Sequence, residues 1–225
     1  MTSPSPGIST GSLTAPIQED VEREIDDLMA SFPDPELLSA SERRDIIARY
    51  TAVLEGNFIY WMTGAYLAVR SEEARAKILE NLHEEVRDAH PLMLRKFAIA
   101  AHAVPTDSDA LAMNPTLTNV RLFIGRLSGV PIVVTMAFFE GFIQRFMAYL
   151  ADLARRQGSA EMEYTDVHGV CDVTHTQELY RALGAEIDLA DALPAGQELY
   201  EGVQLLRTLI QNMTRAQSGV SQVAV

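Results

Sequence analysis

From residue 17 to about residue 217 the chain is patterned for helices. Apolar positions recur at spacings of three and four, and no run alternates apolar with polar residues as a half-buried strand does. A first helix is predicted over PIQEDVEREIDDLMASF, with acids in its early turns and a stop at Pro33 and Pro35. Ser41 N-caps a long second helix, SERRDIIARYTAVLEGNFIYWMTGAYLAV, and Glu42 places a favourable charge at its start. Ser71 caps a third, SEEARAKILENLHEEVRDAH, which breaks or kinks at His90 and Pro91. PLMLRKFAIAAHA resumes the helical pattern, and the shorter NPTLTNVRLFIGRLSG ends at Gly129. VPIVVTMAFFEGFIQRFMAYLADLARRQG runs to a C-cap-style Gly158. TDVHGVCDVTHTQELYRALG follows, capped by Thr165 or Asp166, and AGQELYEGVQLLRTLIQNMTRAQ closes the domain. No internal repeat of fixed period is present. The pattern predicts an all-α, single-domain bundle of seven to eight helices over residues 17–217. It lies between a disordered segment, 1–16, rich in Ser, Thr, Pro and Gly, and a flexible tail, 218–225.

Composition narrows the functional classes. The formal charge is -13, with 18 Lys and Arg against 31 Asp and Glu. Phosphate neutralisation needs clustered cations, so a nucleic-acid surface is not expected, nor is binding to an anionic membrane. The apolar run IVVTMAFF is too short to span a bilayer. The first residues lack the basic and apolar regions of a secretory signal. A single cysteine, Cys171, excludes an intramolecular disulfide and fits a reducing cytoplasm, the expected location.

Against this background the stretch TDVHGVCDVTHTQELY stands out. His168, Asp172 and His175 are separated by four and three residues, which on a helix places them within about 60° of one another. Alone, this is also the pattern of a surface helix with incidental histidines. Two further acids change the balance. Glu55 is flanked by Val53, Leu54, Phe58, Ile59 and Trp61, and Glu140 lies in a segment apolar on nearly every side. Burying an unpaired carboxylate costs on the order of several kcal/mol, so each should face a cation. Arg121 or Arg145 would serve in an ordinary core. A divalent metal would account for both acids and the histidines together. In ILENLHEEVRDAHP the apolar face reads as Ile78, Leu79, Leu82, Val86 and Ala89. Glu85 then flanks that face and Glu84 points nearly opposite, into solvent. His90 flanks it from the other side, with His83 an alternate, although HEEVRD alone also reads as a surface ladder of charges. The candidate ligands are Glu55, Glu85, His90, Glu140, His168, Asp172 and His175. Mixed carboxylate and imidazole donors suit iron or manganese.

These residues resemble the signature of the haem-oxygenase-like dimetal oxidases. His168-x3-Asp172-x2-His175 is similar to the motif of that family's second half, with Glu140 at the place of its Glu in the preceding long helix. Glu55 stands where the family carries a Glu on an early long helix. NLHEEVRDAHPLMLRKF resembles its N-x-x-[DE]-E element and following His, with Glu85 and His90 in the ligand places. The short gap between that Glu and His keeps Glu84 and His83 as alternates. The similarity runs from about residue 41 to residue 217 and implies a seven-helix haem-oxygenase-like fold holding two Fe(II) ions and no haem. It further implies an O2-dependent oxidoreductase, acting through a peroxo-bridged diferric species on a small molecule of natural-product metabolism. Desaturation with cyclisation, N-oxygenation and C–C cleavage are the implied outcomes. An amino acid is the preferred substrate, since a fatty acid would want a long apolar tunnel. Its α-carboxylate would need an arginine such as Arg121, Arg126 or Arg145. An external electron donor and a homodimer are compatible with this reading.

Two other readings compete. A metal-independent, thiaminase-like or cofactor-free relative on the same scaffold would give Cys171 a role as nucleophile. A non-catalytic helical interaction protein would pair Glu55 and Glu140 with arginines.

Overall fold

The computed structural model describes residues 11–194 and 196–215, and within them every regular element is a helix. In chain order these are α1 (Gly11–Ala30), α2 (Ala40–Leu54), α3 (Asn57–Ala68), α4 (Glu72–Arg87) and α5 (His90–Ala100), followed by α6 (Asp107–Ile124), α7 (Gly129–Arg156), α8 (Glu163–Ile187) and α9 (Gln197–Thr214). Helix α1 starts at Gly11 and carries Pro16 inside it, so residues 11–16 are helical, contrary to the expected disordered segment. Residues 1–10 and the expected tail from 218 onward lie outside the described residues.

The predicted second helix is two. Its N-cap is Ser39 rather than Ser41: Ser39 Oγ accepts from the Glu42 amide, and the Glu42 carboxylate accepts from the Ser39 amide at 2.8 Å. It breaks at Glu55 (ψ 103°) and Gly56 (φ +83°), a left-handed conformation that only glycine adopts cheaply. Asn57 then donates to the Val53 carbonyl at 2.7 Å and accepts from Arg121, bracing the break. Counted as one broken helix, α2 and α3 leave the eight of the sequence pattern.

The N-terminus of α4 is capped by Ser71, as expected, and held from outside by a residue of α8. Glu186, fully buried, accepts from the backbone amides of Arg70 and Ser71, each at 2.9 Å. Lys77 on α4 bonds Glu178 on α8 at 2.7 Å, which fixes the register of the two helices. Gly129, predicted to end the preceding helix, instead opens α7. A Cβ there would meet Glu186 Oε1 at 2.8 Å, so the glycine makes room for this anchor. The preceding helix, α6, is longer than predicted: it starts at Thr106 with a capping box to Asp109 and runs through Pro115.

Helix α7 is the axis of the bundle. It packs most extensively along α8 and also against α1, α2, α3 and α9. By length and composition it would cross a membrane, but 89% of its apolar window is buried within the bundle, as befits a core helix. Phe139, Phe142 and Phe146 on α7 join Trp61 and Tyr50 in an aromatic core. One end of that core is polar.

Candidate metal centre

The polar end forms where α4, α5, α7 and α8 meet. Helix α4 presents an unexpected face to it: the fully buried positions are Ala74, Ile78, Asn81 and Glu85. Leu79 and Leu82 lie at its border, and Val86 is 61% exposed. Glu85 is therefore at the centre of the buried face rather than on its flank. The chain turns through Ala89 in a left-handed conformation (φ 57°), one residue before the expected break, with Pro91 in the first turn of α5. That turn folds His90 back over Glu85, with Nδ1 and Oε1 2.7 Å apart.

On α8, His168, Asp172 and His175 all face inward and are buried, as the four- and three-residue spacing predicts. His168 Nδ1 donates to the Tyr164 carbonyl at 2.8 Å, which leaves the lone pair of Nε2 free to ligate, 4.0 Å from Glu85 Oε1. The rings of His90 and His168 meet edge to face at 4.5 Å. Glu85, His90 and His168 thus form one donor group. A second gathers around His175, whose Nδ1 lies 3.6 Å from Asp172 Oδ1 and 3.9 Å from Glu140 Oε2. These separations exceed hydrogen-bond length, so the attraction is electrostatic. Asn81 donates to Glu140 Oε1 at 2.8 Å. Glu84, expected to be solvated, is only 35% exposed and bonds His175 Nε2 at 2.9 Å.

Six of the seven predicted ligands converge in this way, and Glu55 does not. Because the helix breaks at Glu55, its side chain turns away from the cluster. It pairs with Arg95 at 2.9 Å in a separate surface cleft beside Thr51, Ala98 and Val104. The three arginines considered for a substrate carboxylate are also engaged elsewhere. Arg121 bonds Asn57, Arg126 bonds Glu201, and Arg145 pairs with Glu22 and Asp26. His83, the alternate ligand, is exposed and takes no part.

Sequence reasoning gave no role to Asn81, the first residue of the N-x-x-[DE]-E element and one turn before Glu85, and missed the buried pair Tyr50–Tyr164. Their hydroxyls are 2.7 Å apart, and the Tyr164 ring lies 4.2 Å from that of His168.

Among the described residues no Lys or Arg reaches Glu85, Glu140 or Asp172; their close cationic partners are histidines. The electrostatic consequences are large. Burial, followed by the charge of Asp172, pushes the Glu140 carboxyl well above its ordinary range. Burial pulls His168 down towards the neutral imidazole a metal needs. Burial also opposes protonation of His175, but Asp172, Glu140 and Glu84 outweigh it and carry its pKa to about 10. At His90, burial is likewise overcome by Glu85, and the pKa rises. The Cys171 thiol is pushed up by burial and by Asp172, the reverse of what an activated nucleophile requires.

Among the described residues, Asp172 Oδ2, His175 Nδ1 and Asn81 Oδ1 are buried with no hydrogen-bond partner. Orphaned carboxylate and imidazole atoms in one buried cluster are what a divalent cation would satisfy, so the residues present fit a metal. Beside the first donor group lies a cleft with about 20 Å3 of free room, enough for a guest the size of a water molecule. Glu85, Glu140, His90 and His168 line it together with the apolar Leu54, Phe58, Ile59, Leu94 and Ile143.

A family model described as iron-containing redox enzyme matches residues 47–206, more than two thirds of the chain and the whole of this cluster. No curated protein and no solved structure matches the chain. The chain belongs to this family of iron-containing redox enzymes, and its all-α bundle is consistent with a haem-oxygenase-like superfamily.

Proposed function

We propose that this iron-containing redox enzyme is a non-haem di-iron oxidase or oxygenase that uses O2 on a small amino-acid-type substrate. One observation carries the reading: among the described residues, three buried carboxylates, Glu85, Glu140 and Asp172, have no Lys or Arg against them and are interleaved with three histidines. Burying that much negative charge for packing alone would be strongly unfavourable. Glu85, His90 and His168 would hold one iron; Glu140, Asp172 and His175 would hold the other. When bound, two Fe(II) ions supply electrons for reducing O2, with an external donor restoring them when the substrate does not.

The chain's own groups prepare that chemistry. The Tyr164 carbonyl fixes the tautomer and ring orientation of His168. Asn81 holds one oxygen of Glu140 and leaves the other turned towards His175. Glu84, half-buried at the rim, links His175 Nε2 to solvent and gives its proton a way out. Leu54, Phe58, Ile59, Leu94 and Ile143 make the cleft largely apolar; its free room of about 20 Å3 suits a guest no larger than water or O2, so the aliphatic part of a substrate would enter only as these side chains move apart. No arginine considered for an α-carboxylate lines this cleft. Desaturation with cyclisation and C–C cleavage would begin at an aliphatic carbon and N-oxygenation at the amine, in the setting of natural-product metabolism.

The test is anaerobic titration with Fe(II), followed by metal analysis. About two Fe(II) per chain are expected. Saturation at one would reduce the centre to a mononuclear site, and no binding would refute the reading.

A further inference from the structure

The second donor group has a neighbour that the proposed function leaves unused. Cys171 directly precedes Asp172 on α8, and its Sγ lies 3.2 Å from Asp172 Oδ1. It also lies one helical turn before His175, on the same side of the helix. Donor atoms of Cys171, Asp172 and His175 all fall within 4.8 Å of one another. Two buried atoms of this group have no partner among the described residues, Asp172 Oδ2 and His175 Nδ1, on residues only 1% and 3% exposed. The spacing fits a small ion. A tetrahedral centre with bonds of about 2.0–2.3 Å keeps its ligands about 3.3–3.8 Å apart. The observed separations are 3.2 Å (Sγ to Asp172 Oδ1), 3.6 Å (Asp172 Oδ1 to His175 Nδ1) and 3.9 Å (Glu140 Oε2 to His175 Nδ1).

We propose that Cys171 is a metal ligand, and that the position held by Glu140, Asp172 and His175 takes its sulfur as a fourth donor. The proposal rests on the di-iron reading for the existence of that position. A sulfur donor makes the two positions chemically unlike: one is all oxygen and nitrogen, while the other favours Fe(II), Co(II) or Zn(II) over Mn(II) and Mg(II). On coordination the S–H bond to Asp172 is replaced by a sulfur–metal bond. The thiol proton passes to solvent, which Cys171 reaches because it is only partly buried. The bland alternative is a small thiol that donates to Asp172 and stays protonated when metal binds.

Cys171 is the only cysteine, so any thiolate signal has a single source. The experiment is an anaerobic titration of the full chain with Co(II) alone, read by absorption. A thiolate-to-cobalt charge-transfer band should grow in the near ultraviolet alongside the visible cobalt bands. Cys171→Ser and Cys171→Ala should lose the near-ultraviolet band, keep the visible ones and bind one Co(II) about tenfold more weakly or worse. His168→Ala should keep the band, because His168 belongs to the other position. Visible bands without the charge-transfer band in the unaltered protein, or a band that survives in Cys171→Ala, overturn the sulfur ligand and leave the di-iron reading standing. No cobalt bands at all overturn both.

Discussion

Asp172 sits at the point of greatest electrostatic tension in the cluster. It is fully buried, one of its oxygens has no partner among the described residues, and its charge adds to the burial that raises the pKa of Glu140. Removing that charge from the metal-free protein relieves repulsion with Glu140 but gives up the attraction that holds a proton on His175. The two effects oppose, so without iron Asp172→Asn should stay within about 1 kcal/mol of the unaltered protein. With Fe(II) the unaltered protein should be clearly the more stable, since the variant lacks a carboxylate donor. Thermal unfolding of both proteins, with and without Fe(II), checks this; an equal iron-induced rise in the two would exclude Asp172 as a ligand. The adjacent acids Glu84 and Glu85 separate in the anaerobic Fe(II) titration. Glu85→Gln removes a donor from the first group and should lower the iron content by about one per chain. Glu84→Gln touches only the far nitrogen of His175, so it should keep the stoichiometry and weaken affinity by roughly 10–100-fold. Equal losses from the two variants would mean that Glu84 is itself a ligand.

At the scale of elements, the ligands depend on the alignment of α4 with α8, and Glu186 sets it from a distance. Glu186→Ala would strip the partner from the amides of Arg70 and Ser71, and should cost about 1–3 kcal/mol in chemical denaturation. It should also weaken iron binding, although no donor is altered. Unchanged stability would show that the anchor is dispensable. Much at this scale was legible in the sequence: the Ser71 cap, the helical ending at Gly158 and the inward face of α8 all follow from local chemistry. Two features were not. A Gly within LEGNF reads as a tolerated interruption, and only the tertiary bond from Arg121 to Asn57 accompanies the break that turns Glu55 outward. The apolar stripe of α4 pointed to Val86, yet Asn81 and Glu85 take the buried positions. Periodicity assumes an apolar core, and here the core ends in a polar cluster, so the rule fails where the chemistry is. Glu85 was found in spite of this because the two faces are only slightly rotated from one another.

Over the whole molecule the chain carries a formal charge of -13, and the metal centre concentrates part of that acidity where solvent cannot screen it. Protons do in the metal-free protein what metal would do in the loaded one. The pKa of His175 rises from an ordinary 6.5 to about 10 on folding, and that of Glu140 is raised as well. Between those His175 values the folded chain binds more protons than the unfolded one. Stability contributed by His175 is therefore fully present below 6.5 and is lost as pH rises towards 10. His168, with its pKa lowered, acts in the opposite direction on the acid side, so the effect is cleanest above neutrality. Metal binding must displace these protons, and Fe(II) affinity should rise over the window in which the metal-free protein weakens. The melting temperature without metal should fall between about pH 7 and pH 9, while the rise produced by saturating Fe(II) under anaerobic conditions should grow. Asp172→Asn should flatten the metal-free slope, because it removes a carboxylate that holds the proton on His175. A metal-free melting temperature that is level across this range, or an iron-induced rise that shrinks with pH, would mean that the cluster is not held together by protons awaiting exchange for metal.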